Sequence, residues 1–525
     1  MFYSILFPTR EQHQQPRNSS EPDCFVDLNL DQIFAPILTE DKGFGVSVKK
    51  GSDLESFFYT PLQDKDTIVY RQEVAKELED DGLCALIMAF VHKIKGIEEI
   101  ISEIRNAMTS PLKWHDNFLV RGRLLEFTEK YSAAITELAE ALSGQTLRSA
   151  GLRGFADYLA SYIKSKEFSE MCAHARRLRE KLSSVEYCMN IKFPTIRIRR
   201  YEGQEDLGGA LLSAFSKFRQ EDTEEYQPGG MSESQDYQTE ATLLNMVAVV
   251  YEDIFADLDS FFDKYSGFDN DTILRFFREI QFYLSWQALI APLKQKGLPF
   301  CYPIMCADAS HLYSRDGFDL ALAYMNRHKA DPIVTNDFTL TAPERILVIT
   351  GPNQGGKTTF ARAFGQMHYL AALGLCVPGR EAALYLFDNI LTHFEREEDL
   401  STLSGKLQDD LVRLRDIMDK ATERSIVIVN EIFGSTTFKD ASALGRRMMK
   451  ALCRLEAPAL VVTFIDELAV FGPETVSMMS TVSEEDPARR TFKILRKPPD
   501  GLAYAMCLAT KHGLAYEQIS GRLTQ

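Results

Sequence analysis

From about Lys65 to Lys181 apolar residues recur at three-and-four spacing, as in Leu83, Leu86, Ile87, Phe90, Val91 and Ile94. This period predicts helices that each bury one stripe. Ser110-Pro111 interrupts the pattern, because proline removes a helix donor and clashes with the preceding turn. A further helix is expected from about Phe118 to Leu142, with Leu124, Phe127, Tyr131, Ile135, Leu138 and Leu142 on one face. A second helical block spans Glu240 to Gln295 and lines up Leu243, Leu244, Val247, Val250, Tyr251 and Ile254. Such faces are expected to pack on one another rather than to bind a ligand. Between the blocks, Glu186 to Phe193 and Thr195 to Tyr201 partly alternate with period two, which predicts strands near 186–201. The stretch Gln220 to Glu240 is rich in Glu, Asp, Ser, Gln and Gly. It has little apolar surface to bury and reads as an exposed loop.

From about Phe300 the character changes. Short apolar runs at Phe318 to Tyr324, Ile346 to Ile349, Ile426 to Val429 and Ala459 to Thr463 alternate with helical patterns. That alternation is the signature of an α/β region. The linear organisation is therefore an N-terminal segment 1–60, a mostly helical region 61–299 with a small β element, and an α/β region 300–525.

Chemistry concentrates in the last of these. Gly351, Pro352, Asn353, Gln354, Gly355, Gly356, Lys357, Thr358 and Thr359 have the spacing of a phosphate-binding P-loop. In such a loop glycines let backbone N–H groups turn inward around phosphates, the lysine neutralises β/γ charge and the hydroxyl residue ligates Mg²⁺. The context fits, with an apolar run before the loop and a helical pattern after it. ATP with Mg²⁺ is the expected ligand pair. A second apolar run, Ser425 to Val429, ends in Asn430 and Glu431. Glu431 is the candidate general base, and Asn430 stands where an aspartate would normally hold the metal shell. With Thr358 it completes the candidate metal set. The small and hydroxyl residues from Phe433 to Asp440 suit a tight loop at a nucleotide interface, or simply a turn. Ser401-Thr-Leu-Ser-Gly405 precedes a helical pattern. It is either an anion-favouring helix start or ordinary capping by Ser401 or Ser404.

Composition narrows the setting. The chain has 525 residues, enough for several cores, and a formal net charge of −16. An acidic body excludes coating of nucleic acid by bulk attraction, while leaving room for a local basic patch. No apolar run approaches the roughly 18 residues of a membrane span. The start lacks a basic flank and a cleavage site, and the nine cysteines are scattered, so a cytoplasmic protein with reduced thiols is expected.

The order of several short motifs resembles the ATPase domain of the MutS family. They are Asn336-Asp337, Gly351 to Thr359, Asp388 to Thr392, Ser401 to Ser404, Asn430-Glu431 with Gly434 to Thr437, and Thr463 with Glu467-Leu468. A late element from Asp500 to Tyr504 and Gly513-Leu514 is similar too, and Pro61 to Asp64 with Ile68 and Arg71 resembles the start of that family's helical core and lever. The resemblance implies an ABC-type P-loop ATPase that binds ATP at a homodimer interface, with Ser401 reaching the partner subunit's γ-phosphate. It further implies helical levers that couple nucleotide state to a DNA clamp, in DNA repair or recombination. Three departures stand out. The aspartate before the catalytic glutamate is Asn430, the histidine of an Ala-Thr-His-like element is Phe464, and the helices starting near Lys65 leave no room for a mismatch-reading domain. Mismatch recognition in that family's usual manner is therefore not expected. DNA contact falls instead to Arg176, Arg177 and Arg179, or to Arg197, Arg199 and Arg200, through phosphates. The alternative is a solvated face paired with acids such as Glu202 and Glu205.

Two functions follow. One is an ATP-hydrolysing, DNA-binding switch. The other is a non-catalytic, nucleotide-gated scaffold that organises a protein complex, with Asn430 and Phe464 marking lost turnover.

Overall fold

A computed structural model of the chain describes residues 2–39, 53–108, 118–192, 195–204, 233–266, 270–395, 405–483, 485 and 489–500. The chain divides into two compact units, one of Met1–Asp81, Leu147–Arg153 and Arg275–Gln525, the other of Gly82–Thr146 and Gly154–Leu274. The N-terminal stretch thus shares a unit with the α/β region rather than standing apart in front of it.

The second unit is helical with one hairpin. Phe118–Ser143 buries Leu124, Phe127, Tyr131, Ile135, Leu138 and Leu142, the stripe its spacing predicts. It packs against Lys166–Ser183 and Glu252–Tyr265. The strands Tyr187–Lys192 and Thr195–Arg200 pair antiparallel, as their alternation predicts. The block expected from Glu240 to Gln295 is three helices, Glu233–Val250 and Glu252–Tyr265 in this unit and Asp271–Gln295, which from Arg275 on belongs to the first unit. Tyr251 breaks the first from the second with φ −123° and ψ 48°. Its hydroxyl donates to the Glu186 carbonyl at 2.5 Å, a tertiary tie invisible to periodicity. The polar stretch expected as a loop up to Glu240 is helical from Glu233. Glu and Gln favour helix even where no apolar face demands one. Residues 109–117 and 205–232, including Ser110-Pro111, lie outside the described residues.

The first unit is mixed α/β. Its larger sheet runs in the order Ile390–His393, Ile426–Asn430, Ala459–Val462, Ile346–Thr350, Thr475–Val482, Arg490–Arg496. The first five strands are parallel and the last is antiparallel. Three of the four apolar runs noted in the sequence lie in this sheet. The fourth, Phe318 to Tyr324, leads instead into the helix Leu320–Met325, capped by Asp319 accepting from the Leu322 amide at 3.2 Å. A short apolar run does not by itself separate buried helix from buried strand.

Both faces of the sheet are covered, which is why its strands read as continuous apolar runs. On one face Ile346, Val348, Val427, Val429 and Val461 pack with Ala441, Met448, Met449 and Leu452 of the helix Phe438–Leu455. The helix Lys357–Ala372 packs on strands Ile426–Asn430 and Ala459–Val462 and also on Glu381–Tyr385 of a second, four-stranded sheet. Contact is close there: a Cβ at Gly365 would lie 2.5 Å from Leu28 and 2.9 Å from Ile428. The N-terminal helices Cys24–Leu28 and Leu30–Leu38 supply Phe25, Leu28 and Phe34 to this core, with Phe58, Trp286 and Tyr369.

Two buried charges tie the first unit together. Arg71 donates to the Leu6 carbonyl and to the Leu373 carbonyl, both at 3.1 Å, so it caps the C-terminal end of the Lys357–Ala372 helix. Glu279 accepts from the Ser4 hydroxyl and the Ile5 amide, each at 2.8 Å. Burial pushes its carboxyl up to about 7, against the pull of those donors and of Arg275 and Arg71.

Candidate functional site

The loop from Gly351 to Gly356 joins the fully buried strand Ile346–Thr350 to the helix that starts at Lys357. Its path needs left-handed backbone at Gly351 (φ 108°), Gln354 (φ 60°) and Gly356 (φ 91°), a series that turns successive N–H groups toward one concavity. Glycine is required at Gly355 for space. A Cβ there would sit 2.1 Å from the Ser480 hydroxyl, which donates to the Gly355 carbonyl at 2.7 Å. Ser480 belongs to the neighbouring strand Thr475–Val482 and so presses the loop from the sheet side.

Lys357 is only 4% exposed. Its ammonium donates to the Gly351 carbonyl at 3.0 Å, the Pro352 carbonyl at 3.3 Å and the Asn353 side-chain oxygen at 3.1 Å. It also stands 3.4 Å from the Glu431 carboxylate. Burial lowers its pKa from the usual lysine value, and the Glu431 charge works against that lowering.

Parallel register brings Glu431 here. Asn430 pairs with Val462 and Val462 with Ile349, so three strands end side by side. Beyond that line the Glu431 amide donates to the Val462 carbonyl at 3.0 Å, and the Thr463 amide to the Ile349 carbonyl at 3.0 Å. Glu431 holds φ 53° and Phe433 φ 66°, a turn that carries the chain off the sheet just after the acid. Asn430 is 4% exposed, and its side-chain oxygen has no hydrogen-bond partner among the described residues; the same is true of the Thr350 hydroxyl. Two orphaned buried oxygens beside a lysine, a glutamate and a concave run of N–H groups fit a site for a phosphate and a hard divalent cation.

The other sequence candidates divide. Thr358 and Thr359 open the helix beside Lys357. Thr437 caps Phe438–Leu455, accepting from the Asp440 amide at 3.2 Å and donating to its carboxylate at 2.8 Å. Asp388 accepts from Thr422 and Ser425, and Thr392 donates to the buried Asp27 at 2.8 Å; these bonds are structural. Asn336 bonds to the backbone of Phe492 and Ile494 at 3.2 and 2.8 Å. Phe464 is 44% exposed and lies 6.5 Å ring to ring from Phe438. Ser401 and Ser404 lie outside the described residues, as does the chain after Asp500. Ser480 and Arg490, whose side chain donates to the Asn353 carbonyl at 3.2 Å, were missed by the sequence reading. Strand pairing, not local spacing, brings them to the loop.

The six arginines considered for DNA contact, Arg176, Arg177, Arg179, Arg197, Arg199 and Arg200, also differ among themselves. Arg179 is paired with Glu129, and Arg200 donates to the Val250 carbonyl and lies 4.8 Å over the Tyr251 ring. Arg197 and Arg199 are exposed and alternate onto one face of the hairpin. Among the described residues, no helix is long and apolar enough to cross a membrane.

Residues 347–511 match the family model described as MutS domain V. The chain is also similar to a protein of Thermus thermophilus named endonuclease MutS2, with 31% identity over 190 residues. That stretch covers 35% of this chain and 25% of the relative. The chain thus spans about a quarter of that relative's length.

Proposed function

We propose, from the match of residues 347–511 to MutS domain V and the similarity to endonuclease MutS2, that the α/β region binds and hydrolyses ATP with Mg²⁺ and that the nucleotide state switches a DNA-binding framework. The observation that carries this reading is the convergence of Lys357 and Glu431 at 3.4 Å across three parallel strand ends. In this reading the loop N–H groups from Asn353 to Thr359 and the Lys357 ammonium hold the β- and γ-phosphates. Thr358 and the unpartnered oxygen of Asn430 hold Mg²⁺, which when bound neutralises developing phosphate charge. Glu431 orients water and takes its proton. Ser401 acts across a homodimer interface of ABC type, so that binding closes two subunits and hydrolysis releases them. DNA contact runs through phosphates, with the exposed Arg197 and Arg199 better placed than the engaged Arg179 and Arg200.

Asn430 and Phe464 favour a second reading, a nucleotide-gated scaffold without turnover. An amide brings no negative charge to a metal shell, and a phenyl ring cannot hydrogen-bond to phosphate or water. Nucleotide titration and steady-state turnover separate the two. Lys357→Ala should lose roughly ten- to a hundred-fold in ATP affinity, the range for a charged hydrogen bond; unchanged affinity would sink both readings. A wild-type rate that Glu431→Gln abolishes supports the enzyme, and equally negligible rates support the scaffold. Titration against duplex, mismatched and branched DNA at fixed salt, with and without ATP, tests the coupling.

A further inference from the structure

We infer that the first unit carries a second ligand site, a cavity beside the buried Arg71 that takes a small organic carboxylate with an apolar body. Residues between Phe7 and Arg71 line it, and none of the nucleotide-site residues does.

Its frame follows from two local caps. Thr9 opens the short helix Arg10–His13 in a capping box with Gln12, and Asp64 opens Lys65–Glu77 by accepting from the Thr67 amide at 3.1 Å. The Gln12 side chain then donates across to the Asp64 carboxylate at 3.0 Å and to the Thr67 hydroxyl at 2.8 Å. Beside this bridge lies a cavity of about 470 Å³. That is room for a small molecule.

The charge around the cavity is unbalanced. Arg71 is 1% exposed, and its Nε and Nη1 donate to the Leu6 and Leu373 carbonyls. Among the described residues its Nη2 has no hydrogen-bond partner, and the guanidinium has no ion-pair partner. A buried cation left without a paired charge is costly. Burial lowers its pKa to about 10; Tyr283 and Glu279 oppose that lowering, and a second cation, Arg17, adds to it. Arg17 also lines the cavity, 5.7 Å over the Phe7 ring and 5.0 Å over the Phe57 ring, while Arg71 lies 4.8 Å over Phe7. The acid among the lining residues is Asp64. Its charge is already engaged by Gln12 and by the amide and hydroxyl of Thr67.

Two cations against one engaged acid leave room for a single negative charge. The planar arginine fork suits a carboxylate. Phe7, Phe57 and Leu62 line the same cavity and offer apolar surface to the rest of the molecule. Leu62 and Arg71 also bond the Ala372 and Leu373 carbonyls, so the ligand would sit against the far end of the helix that Lys357 begins.

The test is a ligand-observed NMR titration of the full chain with benzoate, with benzamide as its neutral isostere, and with acetate, which has the charge and no ring. Benzoate should bind, and benzamide should be weaker by about ten-fold or more, the range for a charged hydrogen bond. Acetate should be weaker too, for lack of apolar area. Arg71→Met should bring benzoate down to the level of benzamide. If that variant does not fold, Gln15→Glu, at an exposed position on the lining, should weaken benzoate about ten-fold through one repelling charge and leave benzamide unchanged. Equal binding of benzoate and benzamide by the wild type overturns the inference, and so does benzoate binding that neither variant weakens. Acetate as tight as benzoate, or wild type that binds none of the three, also overturns it. Displacement of benzoate by ATP with Mg²⁺ would put the anion at the phosphate loop and overturn it as well.

Discussion

The Lys357 ammonium lies 3.4 Å from the Glu431 carboxylate while also bonded to three oxygens of its own loop. The lysine that should meet a phosphate is thus already neutralised by the acid that should meet water, and the two roles compete. Glu431→Gln should remove turnover, by roughly a hundred-fold or more as for loss of a general base, and at the same time tighten ATP binding. Nucleotide affinity and steady-state rate, measured on one preparation, check this. A variant that loses affinity and rate together would contradict it.

The loop is sized by its neighbour in the sheet. Gly355→Ala places a Cβ 2.1 Å from the Ser480 hydroxyl and 3.2 Å from its Cβ, and should abolish ATP binding. Ser480→Gly in the same chain removes both contacts. It should restore part of the affinity and no more, because the Pro352 carbonyl stays 2.9 Å from the new methyl. A double-mutant cycle in ATP affinity reads the coupling.

Stability should fall as pH rises through the range set by Glu279. Its folded carboxyl titrates at about 7 against an ordinary 4.5, with burial the largest cause. The folded state therefore binds more protons than the unfolded chain between those values, and stability declines as pH rises across them. Glu279→Gln keeps one acceptor and one donor for Ile5 and Ser4 and removes the charge. The variant should gain on the wild type with rising pH between about 4.5 and 7 and hold that advantage above; parallel melting curves at all pH values would contradict this.

Arg71→Met should destabilise the first unit by about 2 kcal/mol, since two buried carbonyls, Leu6 and Leu373, lose a charged donor. Chemical denaturation measures it. Arg71→Lys should fall between, because an ammonium lacks the planar fork that reaches both oxygens.

The glycine-rich loop between strand and helix, and its sheet, were legible in the sequence because both depend on local spacing. Glycines, lysine and hydroxyl sit in one octet, and strands buried on both faces show as unbroken apolar runs. What was not legible depends on distant partners. Arg71 stood out only through the family resemblance and Glu279 not at all, because their burial depends on bonds to Leu6 and to Ser4 and Ile5, far away in the chain. Phe492 reads as one residue of a strand until a register shift turns it outward. Tyr251 reads as part of a helical stripe, yet it stands between two helices and its hydroxyl donates to the Glu186 carbonyl.

The helix Lys357–Ala372 is about 24 Å long at 1.5 Å per residue. One end adjoins the loop Gly351 to Gly356, and at the other the Ala372 carbonyl accepts from the Leu62 amide at 2.9 Å while the Leu373 carbonyl accepts from Arg71. A hydrogen-bonded cylinder does not absorb an axial push. A displacement of Lys357 along that axis would bear, one helix length away, on the bonds to Leu62 and Arg71.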